Sequence, residues 1–221
     1  MIIFERQLQH YLVLVALLVG LFAFLPEDAL VGQFLRISTT TWLILAIAGP
    51  IVHQIYVWFV WRVELHFSLI TRWLGKKGFT IYTVGFTILF ASRLLLIIAL
   101  AISNRNSLSL NPVISFLLAI VCLLPALYLF YSVRRYFGFK RAYGIDHFDA
   151  SYRHLEFVKE GIFRFTPNAM YIFGFLILWV PGFLLLSKAA LLVALFNHSY
   201  IWSHYFFTEL PDIRRIYGES N

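Results

Sequence analysis

Six stretches of twenty or more residues run through this chain with almost no Asp, Glu, Lys or Arg, and they restrict sharply what it can become. A helix needs about 20 apolar residues to cross the hydrocarbon core of a bilayer. Inside lipid, every backbone N–H and C=O must find its partner within the protein, which leaves helices and closed barrels. Residues 7–26, 37–61, 78–104, 106–133, 165–187 and 189–208 all reach that length. The third is interrupted only by Arg93, and the last two are separated only by Lys188. The expected fold is therefore all-α: a polytopic integral membrane protein of about six transmembrane helices, ending in a helical hairpin turned at Leu186-Ser187-Lys188. Only 13% of residues are charged, about half of what a typical soluble domain carries. That excludes a soluble globular enzyme, a disordered chain and a nucleic-acid binder. The net charge of +7 sits in short segments between apolar runs, where membrane topology accounts for it. The single cysteine, Cys122, lies inside an apolar run, so neither a disulfide framework nor a thiolate metal site is expected. The first run lacks the basic leader and small-x-small site of a cleavable signal peptide and is expected to remain as a span.

An even number of spans puts both termini on one side with the segments 62–78 and 134–167. Fourteen Lys and Arg residues fall on that side, against Arg36, Arg105 and Lys188 on the other. The positive-inside rule places the termini and the long loop in the cytoplasm. The chain reads as one membrane domain over residues 1–221. Residues 1–133 supply four N-terminal spans, and residues 134–221 supply a cytoplasmic loop, the hairpin and a tail that form the catalytic part.

Arg93 stands out among the intramembrane residues. A charge at mid-bilayer costs roughly 2.5–3.5 kcal/mol on insertion scales, so such residues face a cavity or a partner. It reads either as a contact for a lipid phosphate or anionic cofactor, or as a structural pairing. His53 lies alone in the second span and reads as a hydrogen-bonded packing residue. The dense histidine clusters of membrane di-iron enzymes do not occur, so no metal is expected.

The loop from Arg141 to Asn168 mixes acids, bases, histidines and aromatics, and is much longer than a connector requires. It reads as a lid or binding segment carrying Asp146, His147 and Arg164. His198 in the sixth span and Glu209 just past its end are eleven residues apart, within about 20° of one face of a straight helix. Asn197, His204 and Thr208 form an adjacent stripe.

These C-terminal residues resemble a known family, the integral-membrane methyltransferases. The likeness is closest to phosphatidylethanolamine N-methyltransferases and more distant to isoprenylcysteine carboxyl methyltransferases. The glycine-aromatic lead-in is similar to Gly161-Ile162-Phe163-Arg164, and the following box to Asn168-Ala169-Met170-Tyr171 with Gly174 after it. The terminal element is similar to Thr208-Glu209-Leu210-Pro211 followed by Ile216-Tyr217-Gly218. Pro167-Asn168-Ala169 stands where the carboxyl-methyltransferase branch has Arg-His-Pro, and Thr208 stands where the family has the first acid of a pair.

The resemblance implies S-adenosylmethionine as cofactor and a membrane lipid as acceptor, most simply the amine of phosphatidylethanolamine. It implies cofactor contacts from Asn168, Tyr171, Gly174, His198, Tyr205 and Glu209. A carboxylate suits the cofactor's ammonium or ribose hydroxyls, and aromatic rings suit its adenine or sulfonium. The acceptor ammonium must lose a proton before it attacks. His198, His204 and Glu209 are the catalytic candidates, with Asp146 and His147 also in reach of that role. Arg93, Asp146, His147 and Arg164 are candidates for holding the lipid. Methylation of another membrane-embedded acceptor, such as a prenylcysteine carboxylate, is the alternative chemistry. A non-catalytic scaffold or a transporter is the alternative class.

Overall fold

A computed structural model describes residues 2–218. Among the described residues ten α-helices are joined by 3-10 and π turns: α1 (Gln7–Ala23), α2 (Thr39–Phe67), α3 (Leu69–Leu74), α4 (Lys77–Ser103), α5 (Pro112–Ser132), α6 (Phe139–Ala142), α7 (Ala169–Phe173), α8 (Val180–Leu184), α9 (Lys188–His204) and α10 (Leu210–Tyr217). The only sheet among the described residues is an antiparallel ladder of two two-residue strands, β1 (Gln33–Phe34) and β2 (Ile37–Ser38), between α1 and α2. The protein is all-α.

Among the described residues four helical stretches are long and apolar enough to cross a membrane: Ile2–Ala23, Thr39–Phe67, Lys77–Ser103 and Pro112–Phe137. Their ends carry local stop and start chemistry. The Ser38 hydroxyl accepts the Thr41 N–H at 3.2 Å to open α2. Asn111 accepts from Val113 and Ile114 ahead of Pro112 to open α5, which uses proline where its missing N–H is not needed. Ser187 accepts from the Ala190 N–H to open α9. Such caps satisfy donors that the first helical turn leaves unpaired. Large apolar side chains such as Val19, Ile88, Leu95, Val121 and Leu124 are exposed around the bundle, as a lipid-facing surface requires. The chain is a membrane protein.

The fifth predicted span departs from a single helix. Residues 169–184 divide into α7, a 3-10 stretch (Gly174–Leu178) and α8, together a short apolar element. Gly174 opens the break and Pro181-Gly182 sits in the second half, where proline cannot donate and glycine costs helix stability. The segment lies along α5 and returns through Ser187 into α9, so the C-terminal hairpin stands, though one arm is segmented.

Two features position the site. Helices α1, α2, α4 and α9 enclose the main core, with Leu43, Ala46, Ile97, Leu100, Val193 and Ala194 at its centre. The polar loop folds back on the bundle: Tyr143 and Phe148 pack with Val57, Trp61 and Tyr82. Gly144 makes this approach possible. It turns at φ +76°, and a Cβ there would stand 2.6 Å from the Trp61 ring.

Candidate active site

Under that loop lies a cavity of about 250 Å³, walled by α2, α4, α5, α7 and α9 and roofed by Phe139, Ala142 and Tyr143. A second cavity of about 330 Å³, between α4, α5 and the 3-10 stretch after α7, shares Phe90, Arg93, Phe130, Gly174 and Phe175 with the first. Its lining is apolar except for Arg93, and it reaches Leu95 on the lipid-facing side of α4. Arg93 stands where the two meet.

The first cavity is aromatic with a few polar groups, and those groups are under-paired. Arg93 is 1% exposed. Its Nη2 donates to the Pro50 carbonyl at 3.4 Å, and its guanidinium lies 5.4 Å from the Phe175 ring centroid. Its Nε and Nη1 have no hydrogen-bond partner among the described residues. Burying a guanidinium without a counter-ion is costly, so the arrangement suits an anionic ligand. Both ring nitrogens of buried His53 also lack partners, as does Nδ1 of His204. At the opposite end the Tyr171 hydroxyl donates to the Glu209 carboxylate, and the Tyr171 ring leans on Tyr205 at 5.3 Å. Desolvation lifts the Glu209 pKa to about 8, against the opposing pull of His147.

A buried ionic chain supports this end from behind. Arg62 Nε meets Asp212 at 3.0 Å with both side chains fully buried. Asp212 meets His147 Nε2 at 3.5 Å, His147 Nδ1 meets Asp146 at 3.1 Å, and the Tyr217 hydroxyl donates to Asp146 at 2.9 Å. Glu5 closes the chain by bridging Arg62 and Arg215. Burial presses the His147 pKa down, but the two carboxylates more than offset this and hold it at about 9. The His147 ring stacks on Trp61 with centroids 4.3 Å apart, and Trp61 lines the cavity. The chain thus ties the α6 loop, α2, α10 and the N-terminal segment into one wall.

The segments that contribute Tyr171, Gly174, His204 and Glu209 lie in a stretch that matches a known family model, described as Phospholipid methyltransferase. Residues 114–220 match the phospholipid methyltransferase family. No curated protein and no solved structure compared with the chain matches it significantly. The match agrees with the resemblance carried by the C-terminal motifs and implies a membrane methyltransferase.

Within the matched stretch the structure brings Tyr171, Gly174, His204 and Glu209 together on the cavity, and Arg93 joins them from α4 outside it. Other predicted site residues lie elsewhere. His198 accepts from Trp179 Nε1 at 3.1 Å, toward the hairpin. The reading that it shares a face with Glu209 assumed a straight helix, whereas α9 passes into a π turn (Tyr205–Glu209). The wider turn rotates Glu209 away from the His198 face. Asn168 begins α7 and is not among the lining residues; Tyr205 stands behind Tyr171. Arg164 is exposed, with its guanidinium over Phe165 at 4.6 Å. Asp146 and His147 belong to the ionic chain rather than to the cavity wall. The sequence reading passed over Gln54, Trp61, Tyr143, Arg62 and Asp212, and treated His53 as packing. His53 is unpaired and faces the cavity instead. A polar His-Gln pair at 53–54 inside an apolar span was the available signal.

Proposed function

We propose that the protein transfers a methyl group from S-adenosylmethionine to the headgroup amine of a membrane lipid, with phosphatidylethanolamine as the acceptor. One observation carries this reading: an unpaired, buried guanidinium at the junction of an aromatic, partly polar cavity with an apolar one that reaches the lipid-facing surface. A phospholipid has the same order, with its anionic phosphate between a polar headgroup and apolar chains. The family match supports methyl transfer as the chemistry.

The cavity residues suit the cofactor. Glu209 and Tyr171 offer an acceptor and a hydroxyl for an ammonium or a ribose diol. Trp61, Phe86 and Tyr143 offer faces and edges for an adenine. When bound, S-adenosylmethionine supplies a methyl group on a positively charged sulfur. Arg93 anchors the lipid phosphate through its free Nε and Nη1. The aromatic walls keep water out, and the loop over Trp61 and Tyr143 holds the two reactants at fixed orientation, from which in-line displacement draws most of its acceleration. His204 faces the cavity from α9, beside Trp61, and serves the cofactor end. Six membrane crossings with cytoplasmic termini put this end where a soluble cofactor arrives.

The test is calorimetric binding of S-adenosylmethionine to purified protein, followed by transfer of labelled methyl groups to phosphatidylethanolamine vesicles. Wild type is expected to bind saturably and to label the lipid. Arg93→Met is expected to raise the lipid KM at least about tenfold, the loss of one charged hydrogen-bonding group, with cofactor affinity unchanged. A folded wild type that binds no cofactor overturns the proposal.

A further inference from the structure

We propose that His53, on α2 and outside the family-matched region, is the base that takes the proton from the acceptor ammonium. The inference rests on the lipid-amine reading above and adds to it a residue from the N-terminal half. His53 is 4% exposed, lines the cavity, and has neither ring nitrogen paired among the described residues. A buried polar group left unpaired costs free energy, so two free ring nitrogens on a cavity wall suit a polar group that enters the cavity. Phe86 and Phe90 of α4 meet its ring edge-on at 4.6 and 5.9 Å, which fixes the imidazole plane without using either nitrogen.

The placement relative to Arg93 carries the assignment. Arg93 is tied to the Pro50 carbonyl, and Pro50 precedes His53 by three residues on the same helix. The carbonyl that holds Arg93 and the backbone that carries His53 are thus about one turn apart along α2, a rise of roughly 5 Å. That is close to the reach of the two-carbon tether between phosphate and nitrogen in an ethanolamine headgroup. The order also fits a lipid. The apolar cavity leads to Arg93, His53 lies one turn further toward Trp61 and Arg62, and Glu209 with Tyr171 lies at the loop end. Chains, phosphate, amine and cofactor follow in that sequence. His204 is the other cavity histidine; it packs against Trp61 with centroids 5.5 Å apart, nearer the cofactor end, and lies on α9 rather than on the helix whose Pro50 carbonyl holds Arg93.

The reaction balances without a further reagent. An ammonium N–H proton passes to an imidazole nitrogen of His53, and the freed lone pair forms the N–C bond to the methyl carbon. The C–S bond breaks as it forms, its electron pair returns to sulfur, and the product is a thioether. A phosphate on Arg93 cancels the guanidinium charge, so the proton on His53 does not add a second uncompensated cation. The proton passes to water as the product leaves.

The experiment compares wild type with His53→Gln and His53→Met, so that a folding defect in one leaves the other informative. Cofactor affinity is measured by calorimetry and methyl transfer to phosphatidylethanolamine vesicles is measured from about pH 7 to about pH 10. Expected are cofactor affinities within about twofold of wild type and rates lower by about 10²–10⁴, the usual weight of general-base catalysis. The deficit is expected to narrow as pH rises, because more acceptor arrives already deprotonated. Rates within about threefold of wild type overturn the assignment, as does a deficit that stays constant with pH or a parallel loss of cofactor affinity. A wild type that neither binds cofactor nor labels lipid overturns the methyltransferase reading instead, so the two failures are distinguishable.

Discussion

Glu209 is held at the loop end of the cavity by the Tyr171 hydroxyl, and its carboxyl titrates near 8 because burial disfavours the charged form. At neutral pH the free protein therefore carries this group mostly protonated, whereas a cationic ammonium binds the ionised form better. Binding must then release a proton. The expected outcome is that S-adenosylmethionine binds more tightly as pH rises from about 6 toward about 8, following the folded-state pKa. Calorimetry in buffers of different ionisation enthalpy reads the released proton directly. Glu209→Gln is expected to weaken binding about 10–100-fold, the range for a charge-assisted hydrogen bond, and to remove the pH dependence. Binding that is equally tight across that range would separate Glu209 from the cofactor.

The element that matters most to access is the loop running from α6 to the 3-10 turn Ala150–His154. Its polar anchor is His147, which meets Asp212 and Asp146 and stacks on Trp61. His147 has a folded pKa of about 9 against an ordinary 6.5. A histidine raised in this way contributes stability that is complete below its unfolded pKa and disappears as pH rises through the folded one. The loop is expected to loosen between about pH 6.5 and about pH 9. A fluorescent label at Ser151→Cys, in a Cys122→Ser background, would report this as rising mobility over that window. In His147→Gln the mobility is expected to be high throughout and flat with pH. A label that stays equally immobile in both proteins would mean that the hold on this segment lies elsewhere, for example in the packing of Tyr143 and Phe148 on Tyr82 and Phe86.

For the whole molecule, the asymmetric distribution of Lys and Arg predicts which face meets the cytoplasm. Single cysteines at Ser109 and Ser151, both exposed, are expected to react with an impermeant thiol reagent from opposite sides of sealed membranes, Ser151→Cys from the cytoplasmic one. Labelling from the same side would break the six-crossing arrangement. The two halves of the chain also share one site: α2 and α4 bring His53 and Arg93, while α7, α9 and the π turn bring Tyr171, His204 and Glu209. The buried Arg62–Asp212 pair locks the same halves together at the loop end.

Much of the architecture was legible in the residues themselves. The apolar runs at 7–26 and 78–104, the second broken only by Arg93, became α1 and α4 with shifts of a few residues at their ends, because helix formation in lipid is dictated locally by length and apolarity. The family-like elements around Asn168–Gly174 and Thr208–Gly218 were visible as motifs. The site was only partly legible. Arg93 drew notice because a charge in an apolar run is anomalous wherever it points. His53 drew notice only as a packing residue, since its neighbours Phe86, Phe90 and Arg93 come from another helix and no local pattern names them. Asp146 and His147 read as ligand contacts from composition, yet their distant partners Tyr217 and Asp212 lie about 71 and 65 residues away in sequence. The π turn that separates His198 from Glu209 leaves no trace in a 3.6-residue period. The length and apolarity of its runs by themselves determined where the long helices lie; the break in the 169–184 segment and the cavity, which exists only where neighbouring helices fail to fill the space between them, were decided by tertiary packing.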